Sequence, residues 1–119
     1  MKTFLKSFIY AFRGMGAAMR QRNLRVQIAV ALVVICAGIY FDINRVEWCL
    51  LLLCIAMVMS LEIVNSALES MVDLVSPERK PLAGKIKDMA AGAVLLAAIV
   101  SAVLGVIVFY PYVAARFVS

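Results

Sequence analysis

Apolar positions change their rhythm along this chain, and each change marks an element. Phe4, Leu5, Phe8, Ile9, Phe12, Met15 and Met19 recur at helical spacing, with Lys2, Lys6, Arg13 and Arg20 elsewhere around the same helix. That pattern predicts an amphipathic helix lying in a membrane interface over residues 3–20, its segment carried to 24 before the first span. Residues 26–41 then read as continuous apolar sequence broken only by Gln27. Sixteen residues are short for a spanning helix, so the helix is expected to extend back into the basic segment. "FDINR" (41–45) predicts a tight turn in which Asp42 or Asn44 caps the next helix. A second span follows over 46–72, with Trp48 placed where an interfacial aromatic belongs. "SPERKP" (76–81) reads as a loop. The third span covers 83–112, polar at first and apolar afterwards, with Pro111 expected to end it and Tyr110 and Tyr112 marking its interface.

Composition turns these runs into membrane helices. The chain has 119 residues, is 66% hydrophobic and has a mean hydropathy of +1.02. A soluble domain of this size carries far more charge. The expected fold is an all-α, multi-pass membrane protein: one domain (1–119) of three transmembrane helices plus the amphipathic helix. No continuous apolar core with a cleavage site precedes the first span, so no signal peptide is expected.

The net charge of +5 is explained by where it sits. Lys2, Lys6, Arg13, Arg20, Arg22 and Arg25 precede the first span, and Arg79, Lys80, Lys85 and Lys87 lie between the second and third. The positive-inside rule puts both regions, and the N-terminus, in the cytoplasm. Anionic headgroups are then the expected partner, not nucleic acid. Cys36, Cys49 and Cys54 lie in apolar runs without a CxxC pair, and there is no histidine. Packing is their expected role, and histidine-based acid–base chemistry is excluded.

The second span ends unusually. "SLEIVNSALESMVDLVSPE" (60–78) brings Glu62, Asn65, Glu69 and Asp73 into a segment that begins as lipid-facing sequence. Glu62 lies about 24 Å along the span, just inside a ~30 Å hydrocarbon core, and Glu69 and Asp73 lie at or beyond its edge. At about 100° per residue the three carboxylates share one narrow stripe, with Asn65 about 60° to its side. Solvated helix ends paired with loop lysines would account for Glu69 and Asp73. A carboxylate at the depth of Glu62 is costly, and its default meaning is functional, such as a general base. Lys85, Lys87 and Asp88 open the third helix at the same boundary, where Lys87 can meet phosphate and Asp88 a cation. "AAGA" (90–93), with Ala97 and Ala98, reads as a small-residue packing face. Carboxylates, an amide and a lysine without a histidine or cysteine nucleophile suit metal-assisted phosphoryl transfer. No Gly-rich phosphate loop is present. A non-enzymatic membrane oligomer and a proton-coupled exporter are the competing readings of an intramembrane glutamate.

"EIVNSALESMVD" (62–73), "SPE" (76–78), "PLAGKIKDMAAGAVLL" (81–96), "YPY" (110–112), "RNLRV" (22–26) and "YAFRG" (10–14) together resemble the small bacterial diacylglycerol kinase/undecaprenol kinase family, nearer its undecaprenol kinase branch. The resemblance implies a homotrimer in the bacterial inner membrane, with composite sites between subunits at the cytoplasmic interface. It implies ATP-Mg²⁺-dependent phosphorylation of a lipid alcohol, undecaprenol first and diacylglycerol second. On its motifs Glu62 is the base and Asn65 stands beside it. Glu69 binds the metal that bridges the ATP phosphates, Lys87 and Asp88 handle the nucleotide, and Asp73 belongs to the nucleotide region. Two departures stand out. Gln21 occupies the place of a second metal-binding glutamate, and a neutral amide is a poor Mg²⁺ ligand. Gln27 and Lys80 stand where family members often have histidine.

Overall fold

A computed structural model describes residues 1–118 as four helices, α1 (Lys2–Ala18), α2 (Arg22–Phe41), α3 (Arg45–Val75) and α4 (Pro81–Phe117). The last three are long and apolar enough to cross a membrane. At about 1.5 Å per residue α3 is roughly 46 Å long and α4 roughly 55 Å, so both outrun a ~30 Å hydrocarbon core. They project from the end of the molecule that carries α1 and the 76–80 loop, hereafter the basic end. The opposite end carries Trp48, Tyr110 and Tyr112.

Local chemistry sets the boundaries. α1 closes at Ala18, and an extended backbone at Gln21, the N-cap of α2, separates the two helices. The amphipathic segment therefore breaks at residues 19–21 and does not run on to 24. α2 does extend back into the basic segment, as its short apolar run requires. At the 42–44 turn both polar residues act, in different ways. Asp42 ends α2 in the left-handed region at φ 52°, the one non-glycine position with positive φ among the described residues. Asn44 opens α3 with a reciprocal box: Glu47 N–H donates to Asn44 Oδ1 at 2.9 Å, and Asn44 N–H donates to Glu47 Oε1 at 3.0 Å. Such boxes satisfy two otherwise free backbone donors. Pro81 starts α4 from the first-turn position, where its missing N–H costs nothing.

Pro111 does not end α4, which continues to Phe117. Proline withholds one backbone hydrogen bond, and membrane helices tolerate this where neighbouring groups hold the segment. Here Tyr112 Oη donates to Glu47 Oε1 on α3, and Phe41, Phe109 and Tyr112 form an aromatic cluster. This end also holds the principal core, with Ile43, Leu51 and Val108 buried against Val34, Phe41 and Trp48.

α3 is the element on which both α2 and α4 pack. The molecule is accordingly a slab, 58 × 43 × 21 Å. Few of its apolar side chains are covered: Leu53, Val33, Leu96 and Val106 are among the many left more than half exposed. Lipid and further copies of the chain are the surroundings such a surface requires. The expected packing role of "AAGA" is not met within one chain. Ala91, Gly92 and Ala93 are exposed, and a Cβ built on Gly92 meets nothing within 4 Å. Ala97 and Ala98 do lie partly buried.

A candidate active site where an apolar groove meets a carboxylate stripe

Two cross-links fix the register of α3 against α4. Tyr112 bonds Glu47 at one end, and the Lys87 ammonium pairs with Asp73 at the other. Stepping eleven residues along each helix from the Lys87–Asp73 pair brings Glu62 opposite Ala98. Stepping fifteen from Tyr112 and Glu47 brings it opposite Ala97, so the two anchors agree. α2 is anchored where Trp48 lies over Gly38: a Cβ on Gly38 would come within 2.7 Å of the indole. The same stepping sets Leu24 opposite Glu62 and Gln27 opposite Met59.

Among the described residues Glu62 and Asn65 are the buried polar ones, at 3% and 6% exposure. Leu24, at 2%, is buried at the same level. Glu62 has no hydrogen-bond or ion-pair partner among the described residues. Asn65 Nδ2 donates to Glu69 Oε1 at 3.2 Å, whereas Asn65 Oδ1 is buried without a partner. A buried amide oxygen left unpaired within one chain is a cost. Glu69 itself is exposed.

Beyond Glu62 the same face of α3 becomes apolar. Leu51, Ile55, Val58, Glu62, Asn65, Glu69 and Asp73 fall within about 80° of arc. Leu51, Ile55 and Val58 floor a groove of about 550 Å³ between α2 and α4. Its inner end is marked by Gln27, Met59 and Ala98; Ala98 lies opposite Glu62 by register, and Met59 lies about one helical turn short of it. One helix face thus runs from hydrocarbon lining into a carboxylate ladder without a turn. A lipid lying in the groove would bring a polar headgroup to Glu62.

Toward the basic end the loop forms a second cavity of about 490 Å³, lined by Asp73, Ser76, Glu78, Arg79, Lys80 and Lys87 among others. Three cations around an open cradle suit a polyphosphate. Lys87 is not free, however: it is tied to Asp73, with side chains 37% and 65% exposed. This is the pairing that a purely solvated helix end predicts, and it leaves Lys87 half accessible. Asp88 is exposed and lies about 100° around the helix from Lys87, away from that pair. Gln21 is exposed at the α2 N-cap without a side-chain cap bond. Among the described residues no three acidic, cysteine or histidine side chains gather into a metal cage. Glu69, exposed and held by Asn65, presents a single carboxylate, which is the number of protein ligands a phosphate-bound Mg²⁺ would need here. That is the usual habit of Mg²⁺ in phosphoryl-transfer sites.

Two features escaped the sequence. Glu47 was visible only as a charge at the start of a span, and its bond to Tyr112 depends on α4 continuing through Pro111. Gln27 was visible as the interruption of the first span, and nothing in its neighbours showed that its Oε1 is buried and unpaired.

These features define a helical integral membrane protein in which one helix face passes from an apolar groove to a buried carboxylate. Comparison with known proteins gives the class a family. Residues 9–109 match the model of the prokaryotic diacylglycerol kinase family. The chain is 38% identical to an undecaprenol kinase of Bacillus subtilis over 93% of its length and 91% of that protein's. It is 35% identical to a diacylglycerol kinase of Escherichia coli K12, covering 83% and 82% of the two chains. A diacylglycerol kinase of Haemophilus influenzae is 31% identical, over 89% and 92%. The chain belongs to the prokaryotic diacylglycerol kinase family, and it is a membrane lipid kinase.

Proposed function

We propose that this kinase transfers the γ-phosphoryl group of ATP to the hydroxyl of a lipid alcohol at the cytoplasmic face of a bacterial inner membrane. The carrying observation is the run of one α3 face from the groove residues Leu51, Ile55 and Val58 to Glu62, a buried carboxylate without a side-chain partner among the described residues. Glu62 accepts the proton of the lipid hydroxyl as its oxygen attacks the γ-phosphorus. The bond from that phosphorus to the β,γ-bridging oxygen breaks, and ADP leaves. Asn65 holds Glu69 by its amide N–H, which leaves its Oδ1 to accept from a donor at the site. Mg²⁺, when bound at Glu69, neutralises charge on the phosphates. Lys87 contributes its ammonium to the same phosphates, exchanging Asp73 for them, and Arg79 and Lys80 line the approach. Asp88 supports the nucleotide side from the adjoining face of α4, and Gln21 occupies the position of a second metal ligand.

Undecaprenol is the first substrate reading, supported by likeness over 93% of the chain to an undecaprenol kinase. Diacylglycerol is the second, supported by relatives named for it and by polar groups on the groove wall. Basic residues clustered at one end support an N-terminus in the cytoplasm. Self-association is supported by the side of α3 turned away from the groove. Leu50, Leu53, Met57, Ser60, Val64, Ala67, Met71 and Leu74 follow an unbroken three–four spacing, and all are exposed. Such a seam packs against copies of itself, and a homotrimer is the assembly proposed for it.

The test is turnover of ATP-Mg²⁺ by purified protein over a panel of polyprenols and diacylglycerols. Phosphorylated lipid is expected from wild type. Glu62→Gln should lower turnover by about 10²–10⁴-fold, the usual contribution of a positioned base, with the oligomer intact. Absence of lipid-dependent ATP turnover across the panel would refute the kinase mechanism.

A further inference from the structure

Asn65 uses one half of its amide. Its Nδ2 donates to Glu69 Oε1 at 3.2 Å, and its Oδ1 is buried without a partner among the described residues. At 6% exposure the residue has little water to supply the missing donor. This bears on Glu69. An amide carries its donor and its acceptor on opposite edges, and a turn about its last bond exchanges them. With Oδ1 unheld, only the bond to Glu69 opposes the turn that would set oxygen against carboxylate. A donor on the Oδ1 side removes that freedom and keeps Glu69 held.

α2 brings a side chain to this level. Its buried residues Leu24, Ala31 and Gly38 recur every seven positions, so one edge of α2 stays against α3 along its length. The stepping that sets Leu24 opposite Glu62 therefore sets Gln21 opposite Asn65, three residues further on each helix. Among the polar residues that open α2, Gln21 lies nearest this edge. It is about 60° from Leu24, against about 100° or more for Arg22, Asn23 and Arg25. Packed helix axes stand about 8–10 Å apart, a gap that two amide side chains bridge. Gln21 is exposed and makes no cap bond, so its side chain is free to turn. Its chemistry fits the need. A glutamate here could bind metal but only accept hydrogen bonds, whereas a glutamine binds Mg²⁺ poorly and can donate.

Resting on the lipid-kinase reading with Glu69 as metal ligand, we propose that Gln21 is a positioning residue that acts through Asn65. Its amide N–H donates to Asn65 Oδ1, and Asn65 Nδ2 in turn donates to Glu69. The relay fixes the Asn65 amide in one orientation and holds Glu69 as the carboxylate presented to the metal and its phosphates. The place of a second metal ligand is thus given to a side chain that orders the first.

The chain has two glutamines, Gln21 and Gln27. Selective ¹⁵N-glutamine labelling of the protein in nanodiscs therefore gives two side-chain amides, which Gln27→Leu tells apart. In wild type the Gln21 amide protons should exchange with water about two- to tenfold more slowly than a free amide, and Asn65→Ala should abolish the difference. Should Asn65→Ala fail to fold, Gln21→Leu replaces it. In ¹⁵N-asparagine-labelled protein this change at an exposed position should shift the Asn65 amide and leave that of Asn44. In turnover, Gln21→Leu should lower kcat about two- to tenfold and raise the Mg²⁺ concentration for half-maximal rate. Gln21→Glu separates the roles. It adds a carboxylate, so the Mg²⁺ midpoint falls, but it loses the donor, so kcat at saturating Mg²⁺ falls as in Gln21→Leu. A Gln21 amide that exchanges freely in wild type would overturn the relay. So would a Gln21→Glu variant with kcat at or above wild type. Should wild type turn over no lipid alcohol, the kinase mechanism falls, and amide exchange alone then decides whether Gln21 holds Asn65.

Discussion

Lys87 offers the sharpest test, because its structural and catalytic roles differ in magnitude. In the free protein it pairs with Asp73 across α3 and α4, at 37% and 65% side-chain exposure. An ion pair so open to water contributes about 0.2–1 kcal/mol after screening. Lys87→Met should therefore cost the α3–α4 hairpin no more than about 1 kcal/mol, read as a small loss in resistance to denaturation in detergent. A phosphate partner is worth more. A hydrogen bond to a charged group contributes about 1.5–3 kcal/mol, a factor of roughly 13–150 in binding. Lys87→Met should raise the KM for ATP, or lower kcat/KM, by that factor. Asp73→Asn breaks the same pair while leaving the ammonium free, so it should share the small stability loss and change the ATP KM by no more than a few-fold. The two variants thus separate the pair from the phosphate contact. Equal kinetics for Lys87→Met and wild type, at equal folding, would refute a phosphate role and leave Lys87 as the fastener of a solvated helix end.

Gln21→Glu restores a carboxylate at the α2 N-cap and should lower the Mg²⁺ concentration for half-maximal rate; no change in a magnesium titration would mean that another group already serves. Gly38→Leu forces a side chain into the indole of Trp48, which a Cβ alone would approach to 2.7 Å. The expected loss is about 1–3 kcal/mol, read from thermal inactivation, and unchanged stability would show that the α2–α3 contact is loose. Met57→Cys, on the outward seam of α3 in a background without other cysteines, should form a disulfide-linked dimer on oxidation. Val106→Cys on α4 should not, and the reverse pattern would move the interface to α4.

Much of the fold was legible because a membrane leaves few choices. Spans, basic end and the Asn44 cap follow from apolar run length, charge placement and one side-chain oxygen. The stripe of Glu62, Glu69 and Asp73 was legible because helical phase depends only on spacing. Where the chain ignored a local rule, tertiary contact was the reason. Pro111 lies inside α4 because Tyr112 is held by Glu47, sixty-five residues away in sequence. The 90–93 stretch lies beside α3, but Ala91, Gly92 and Ala93 are left uncovered by it. The place of Gln27 at the inner end of the groove was not legible at all. It arises from the registers of two helix pairs, which are set by Gly38 beneath Trp48 and by the Lys87–Asp73 and Tyr112–Glu47 cross-links.

The division of α3 explains why these contacts matter to chemistry. Its outward side is a plain apolar seam, while its inward side changes from hydrocarbon lining to carboxylates at Glu62. A helix with only the seam would associate, and one with only the acids would be expelled from lipid. Glu62 is buried at its depth, and by register it lies level with the buried Leu24 of α2 and the partly buried Ala97 and Ala98 of α4. Those small side chains let α4 come near enough to cover the carboxylate without filling the space a hydroxyl must enter. Larger residues at 97 or 98 would push α4 away and hydrate Glu62, or block the groove's inner end. The small-residue face of α4 thus serves the site where it meets Glu62, and the exposed glycine and alanines nearer the basic end remain available to the nucleotide or to another copy.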